Sequence, residues 1–208
     1  MRKGYRSKQN TGQALFFKPA NGQDSALLHR QRVPALDGNI SFRSLNLDTD
    51  LLMIHNWMNQ VYAKRFWQMD KPLPEIGKIY QSIIENPHAH SFIGLFNDRV
   101  VCLIDSYQVL HDELADHVDA EANDCGIHLL MSPPREHRRD MSFHCLREFL
   151  AFYFSFPEAH RIYAEPDCRN LFANKLAMRV GLRFLREISL SYKMANLYSL
   201  SKSEFHNN

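Results

Sequence analysis

His128 stands inside an apolar run, Gly126-Ile-His-Leu-Leu-Met131, and Asp167 follows the proline of Ala164-Glu-Pro-Asp-Cys-Arg-Asn170. An imidazole changes charge near neutrality and a carboxylate takes protons or cations, so the two could manage a proton if neighbouring strands brought them together. Alone, a histidine in such a run is more often a core residue with satisfied nitrogens. Asp105, in Ile104-Asp-Ser-Tyr107, is a second carboxylate within an apolar stretch. Buried there it needs a partner, either a substrate ammonium or an internal arginine. The turn Arg135-Glu-His-Arg138-Arg139-Asp140 leads into a helical pattern that opens at Met141-Ser142. The free N–H groups and dipole of a helix start suit phosphate oxygens, and the three arginines add charge. Glu136 and Asp140 partly neutralise it, which leaves an exposed basic turn as the alternative.

Other chemistries find no support. His88-Ala-His90 and the pair His111 and His117 have neither a regular helix nor a ligand cluster around them, so no metal is expected. Cys102, Cys125, Cys145 and Cys168 form no C-x-x-C pair and read as reduced thiols. The G-x-S-x-G word of a hydrolytic serine is absent.

The elements that must carry these residues follow from apolar periodicity. Ile40–Ser44 alternates as a strand, Asp48 or Thr49 caps a helix through Met58, and Pro74–Asn86 is helical with Ile76, Ile79, Tyr80 and Ile83 on one face. Ser91–Phe96 and Arg99–Val109 form a hairpin about Asn97-Asp98, and residues 111–124, with six acidic groups, predict an exposed loop. The strand at 126–131 is followed by a helix with Phe143, Leu146, Leu150 and Tyr153 inward, then by a strand at 161–165. Asn170 caps a helix with Phe172, Leu176 and Val180 inward, Gly181 stops it, and two strands close the domain.

The 208 residues, 45% apolar and 23% charged with a net charge of +2, suffice for one core and fit one domain. Residues 1–40 hold seven Lys/Arg against two Asp/Glu, and the rest 18 against 21, so the basic part is an N-terminal extension and no nucleic-acid partner is expected. The first thirty residues lack a signal peptide's apolar run, and no stretch approaches the ~20 apolar residues of a membrane span. A soluble, cytoplasmic protein is expected.

In this order the elements resemble the GNAT acyltransferase superfamily. Trp57-Met-Asn59 with Phe66-Trp67, Gly126–Met131, and Ala164–Asn170 resemble, more narrowly, the siderophore-biosynthesis acyltransferases of the aerobactin, alcaligin, putrebactin and desferrioxamine type, over about residues 40–198. The resemblance implies an α/β GNAT fold, a central mixed twisted sheet with splayed middle strands and flanking helices. Residues 1–39 would be a partly flexible basic extension, 40–200 the acyltransferase domain and 201–208 a polar tail. It implies transfer of an acyl group, acetyl or succinyl, from acyl-CoA to an N-hydroxylated amine or diamine, giving a hydroxamate.

By that resemblance His128 is the general base and Asp167 its partner or a second proton acceptor. Coenzyme A falls to the backbone of Leu129 and Met131, to Arg135, Arg138, Arg139, Met141 and Ser142, and to Asn170. Trp67, expected in a loop after the first helix, walls the acceptor pocket, and Asp105 faces the acceptor's far ammonium. In the superfamily the phosphate turn carries glycines, whereas Arg135–Asp140 has none, so guanidinium groups take more of the grip. An amine monooxygenase and a siderophore synthetase would be functional neighbours. A GNAT acting on an aminoglycoside or a protein lysine, and a non-catalytic module that binds coenzyme A, are the alternatives.

Overall fold

Strand pairing in this chain follows burial. Ala89–Phe96 is mostly apolar and buried throughout, as a central strand must be, while Arg183–Leu190 is mostly exposed and lies at the sheet edge. The computed structural model describes residues 14–19, 26–133 and 139–207. Among them β1 (Leu27–Val33), β2 (Gly38–Ser44), β3 (Ala89–Phe96), β4 (Arg99–Gln108), β5 (Cys125–Met131), β6 (Arg161–Ala164), β7 (Arg183–Leu190) and β8 (Lys193–Ser201) form one sheet, ordered β1-β2-β3-β4-β5-β6-β8-β7. Only β5 and β6 pair in parallel, and the crossover between them carries α4 (Met141–Phe154).

The sheet is packed on both sides. One face meets α1 (Leu47–Met58), α2 (Val61–Trp67) and α3 (Leu73–Glu85) through Ile54, Trp57, Trp67, Ile76, Tyr80, Ile93 and Leu130. The other meets α4 and α5 (Leu171–Arg179) through Phe42, Phe92, Ile127, Phe149, Leu150 and Ala177. Because side chains alternate along a strand, Leu130 and His128 belong to the first face and Ile127 and Leu129 to the second.

Several local expectations change. The cap of α1 is Asn46, whose side chain accepts from the Asp48 N–H at 2.9 Å. Trp67 ends α2, a seven-residue helix without a side-chain cap, whose buried Ala63 and Trp67 hold it where its sequence alone gives no strong helix signal. Phe172 is 90% exposed rather than inward; Asn174 and Ala177 form the buried side of α5. The acidic segment 111–124 contains a short 3-10 turn, Glu113–Asp116, whose Leu114 is fully buried beside Val109 and Ile188. The polar tail forms α6 (Lys202–His206), capped by Ser201 and Glu204. The expected boundary at residue 40 falls within β2, and β1 belongs to the same sheet.

The N-terminal segment also reaches the core. Leu15 and Phe17 are buried in the α4 face, and the Lys18 ammonium donates to the carbonyls of Ile84 at 2.7 Å, Asn86 at 2.6 Å and Ala89 at 3.0 Å. Those oxygens include the unsatisfied end of α3, where the helix dipole favours a cation. Burial pulls the Lys18 pKa down from 10.5 to about 8, so the charged form still dominates at neutral pH. Lys18→Met removes charge-assisted hydrogen bonds worth about 1.5–3 kcal/mol. Urea denaturation should read a loss of that order; unchanged stability would show that the carbonyls do not need the ammonium. The unfolded chain holds this proton more tightly than the fold, so the native protein should gain stability as pH rises above about 8, and the variant should lack that rise.

Candidate active site

Parallel pairing of β5 with β6 covers only Cys125 with Ile162 and Gly126 with Tyr163. Beyond it the chain from Glu165 turns to β8: the Asn196 N–H donates to Pro166 O at 3.0 Å, Asp167 bridges Ala195, and the Cys168 N–H donates to Met194 O at 3.0 Å. β5 is thereby left open on one side. Ser132 N–H donates to Val101 O and Val109 N–H to Asp124 O, which turns the amides of even-numbered residues toward β4. Alternation then turns those of Leu129 and Met131 into the opening, and the Tyr62 hydroxyl donates to Met131 O there at 2.7 Å. Exposed strand edges of this kind receive amide-bearing chains by strand-like hydrogen bonding.

The register continues past the last pair. Two residues beyond Gly126 and Tyr163, His128 is level with Glu165, and the His128 Nε2 hydrogen-bonds Glu165 Oε1. Glu165 is 2% exposed and is held by more than the imidazole. The Tyr107 hydroxyl donates to its Oε2 at 3.1 Å, and the Lys193 ammonium lies 3.5 Å from Oε1 while donating to the Glu165 backbone carbonyl. Tyr107 reaches this point because its cross-strand neighbour is glycine: a Cβ on Gly126 would lie 2.1 Å from the Tyr107 ring. Trp67 stands edge-on to His128, with ring centroids 6.2 Å apart.

The expectation that Asp167 partners His128 is therefore corrected; Glu165 does, for the reason of register. Asp167 is buried and accepts from Arg169 three times, from the backbone N–H at 2.8 Å, Nε at 2.9 Å and Nη2 at 2.7 Å. That guanidinium holds its carboxyl below the usual range, which makes it a weak proton acceptor. Asn170 caps α5, accepting from the Ala173 N–H at 3.2 Å, and Asn174 ties the turn to β8 by donating to Asp167 O and accepting from Tyr198 and Asn196.

Asp105 lies directly across β4 from His128, but it is 2% exposed and accepts from the hydroxyls of Ser91 at 2.7 Å and Tyr80 at 3.2 Å. These hydroxyls are partners that the expected choice between ammonium and arginine did not include. Met141 is buried and Ser142 half-buried at the start of α4, where Asp140 occupies the cap position with a φ of 60° and accepts from Arg179 at 2.8 Å. Arg139 is fully extended into solvent, 3.7 Å from Asp140. Arg135 and Arg138 lie outside the described residues.

A cavity of about 140 Å³ runs through the sheet at the opening. Phe66 and Trp67 line it on the α2 side, Leu146, Leu176, Ala177 and Leu182 on the α4 and α5 side, with His128, Glu165, Asp167 and Asn170 between. An imidazole–carboxylate pair thus sits midway along a mostly apolar cavity bordered by an open strand edge, an arrangement that could bring an extended acyl carrier from one face to an acceptor on the other. Glu165, Tyr107 and Lys193 were not singled out from the sequence. Counting residues from a parallel pair would have found Glu165, but that pair is not visible before the fold is known.

Residues 46–190 match the family described as an acetyltransferase (GNAT) domain. The chain belongs to that family. It is a GNAT acyltransferase, and acyl-CoA is the donor substrate of such enzymes. It is similar to the N-hydroxyputrescine acetyltransferase of Acinetobacter baumannii, 26% identical over 167 residues that cover 80% of this chain and 79% of the relative. It is also similar to the lysine N-acyltransferase MbtK of Mycolicibacterium paratuberculosis, 27% identical over 84% of this chain and 79% of that one. Among solved structures, an uncharacterized protein of Bacillus halodurans superposes with a TM-score of 0.82 at 26% identity, covering 88% of this chain and 93% of the other. The aminoglycoside acetyltransferase AAC(6')-Ib in complex with coenzyme A shares the fold, with a TM-score of 0.74 at 18% identity over 81% and 98% of the two chains. Among the described residues no helix of the GNAT domain is long and apolar enough to cross a membrane.

The Asp167–Arg169 contact makes a pH-dependent contribution of known sign. A carboxyl with a lowered folded pKa stabilises the fold above its unfolded value, about 3.9, and loses that contribution as pH falls through the folded value. Arg169→Gln should melt below the unmodified protein at pH 7, and the gap should close as pH falls through the lowered folded value and Asp167 becomes protonated in both. A gap that persists unchanged in acid would mean that the guanidinium acts by packing alone.

Proposed function

We propose that this acyltransferase moves an acetyl or succinyl group from coenzyme A to the nitrogen of an N-hydroxylated amine or diamine, forming a hydroxamate for siderophore biosynthesis. The observation that carries the reading is the His128–Glu165 pair at the middle of an apolar passage through the sheet. The oxygen of an N-hydroxyamine withdraws electron density, so its nitrogen is largely uncharged at neutral pH and enters an apolar passage at lower desolvation cost than an ammonium. The nitrogen attacks the thioester carbonyl, its proton passes to His128, and the carbon–sulfur bond breaks to release coenzyme A as a thiol once the thiolate is protonated. Names of relatives support the acceptor class: N-hydroxyputrescine acetyltransferase, and N(6)-hydroxylysine O-acetyltransferase at 22% identity.

The alternative, an ordinary amine such as an aminoglycoside or a protein lysine, would bring its reacting nitrogen into the passage as an ammonium and would need a carboxylate free to receive it there. Among the described residues the acidic groups lining the passage are Glu165 and Asp167, and both are engaged, by His128 and Lys193 and by Arg169. Asn170 and the amides of Leu129 and Met131 hold the pantetheine arm in this reading, Ser142, Met141 and the arginine turn the phosphates, and Trp67 the acceptor's apolar chain. Its place in the cell is the cytoplasm, downstream of an amine monooxygenase and upstream of a siderophore synthetase.

The test is a panel of acetyl- and succinyl-CoA against N-hydroxyputrescine, N-hydroxycadaverine, N6-hydroxylysine, putrescine and kanamycin, following released thiol and the colour of the ferric hydroxamate. Hydroxylated acceptors should be strongly preferred; equal rates on plain amines would replace this reading with the ordinary-amine one. In the same assay His128→Ala should lose on the order of 10²–10⁴-fold in kcat. Acyl-CoA affinity in calorimetry should be little changed. Full activity in that variant would remove His128 from proton transfer.

A further inference from the structure

The carboxylate that touches His128 is gripped from three directions by groups on different strands. Glu165 follows β6, Tyr107 is on β4 and Lys193 begins β8, so the contact draws together the two halves of the sheet on either side of its opening. Lys193 is only 7% exposed. A buried ammonium beside a buried carboxylate keeps the latter ionised, because either charge alone would be costly there. An ionised carboxylate only accepts hydrogen bonds, so Nε2 of His128 must be the N–H that donates to it, and the ring's basic lone pair is on Nδ1.

The sign of the remaining charge also matters. A histidine facing a lone carboxylate tends to keep its proton and is then no base at all. The ammonium of Lys193, 3.5 Å from the same carboxylate oxygen that His128 meets, opposes a second positive charge on the imidazole. Among the described residues, Asp105 faces the ring from across β4, bonded by Ser91 and Tyr80, the Asp167–Arg169 ion pair lies on the turn after Glu165, and α2 presents the uncharged Trp67.

We infer that Glu165, Tyr107 and Lys193 are positioning residues that fix His128 in the Nε2–H tautomer, and that Lys193 frees the His128–Glu165 pair of its proton at neutral pH. The inference rests on His128 as the base of the proposed reaction. Its test is run on the full chain without acyl donor or acceptor, so failure of the N-hydroxyamine assay and failure of this inference are separate results.

The experiment is a pH titration of ring-15N histidine by NMR, with His128 assigned by the signal lost in His128→Gln. Above its midpoint the His128 ring should show Nδ1 unprotonated and Nε2 protonated. Glu165→Gln removes the negative neighbour and should lower the midpoint by about one unit or more. Lys193→Met removes the positive one and should raise it, whichever partner of the pair carries the proton. Lys193→Arg, which keeps the charge, should stay near the unmodified value. Opposite movements are the discriminating result, since loss of packing alone gives no reason for them. Movement of both variants in one direction, no movement, or an Nδ1–H neutral ring overturns the inference. If Lys193→Met does not fold by its melting curve, Lys193→Gln takes its place; if neither folds, the tautomer and the Glu165→Gln midpoint decide.

Discussion

Two pairs of residues hold β5 and β6 together, and the site exists because the pairing stops there. Past Gly126 and Tyr163 the chain after β6 stays with β8 through Pro166, Asp167 and Cys168 and abandons β5. Backbone amides in a sheet interior are ordinarily satisfied by a neighbouring strand, and an unpaired one carries a desolvation cost. Here the cost is confined to the odd-numbered residues of β5, and Tyr62 meets part of it at Met131. Proline at 166 contributes directly, since it has no N–H to continue a ladder. What a continuous sheet would close, this one leaves as a passage between its two faces.

A gap through a core invites either collapse or water, and the polar groups that span it prevent the first. Glu165 reaches across to His128, Tyr107 reaches over Gly126 to Glu165, and Lys193 closes the group from β8. Each is costly to bury alone; together they supply each other's partners. The smallness of Gly126 is part of the same arrangement, because any Cβ would push the Tyr107 ring off the line to Glu165. The charge cluster is also positioned by elements remote from it. Tyr80 on α3 and Ser91 on β3 hold Asp105 behind His128, while Lys18 of the N-terminal segment binds the carboxyl end of α3.

How much of this could be read from residue order depends on whether a feature is local. Strand alternation around Gly126–Met131 put His128 on one face and Ile127 and Leu129 on the other, and both assignments hold. The Asn170 cap of α5, the α4 face and the order of the GNAT elements were legible for the same reason, whereas the cap of α1 fell at Asn46 and not at Asp48 or Thr49. The partner of His128 was not, because it depends on the register between strands separated by a 14-residue helix and its turns, where a shift of two residues replaces Asp167 by Glu165. Phe172 misled for a related reason: its helical spacing fits an inward face, yet the α5 side that meets the core is chosen by Asn174, whose amide groups tie three segments together. Lys193 stood among alternating strand residues with no local sign that its ammonium was enclosed.

The chemistry of the passage also bears on which nucleophile it can receive. Its walls are aliphatic and aromatic along most of their length, with Leu146, Leu176, Leu182, Phe66 and Trp67 among them, and its ionised groups are already neutralised by one another. An alkylammonium entering such a space would leave its hydration behind without gaining a free carboxylate, and would still have to lose a proton before attack. At its reacting end an N-hydroxyamine meets neither obstacle, since that nitrogen arrives with its lone pair available and its hydroxyl can still donate and accept hydrogen bonds. Under the proposed function a preference for a hydroxylated amine would come from desolvation rather than from a dedicated pocket for the hydroxyl, and the ion pairs that make the walls electrically quiet are the feature on which it would depend.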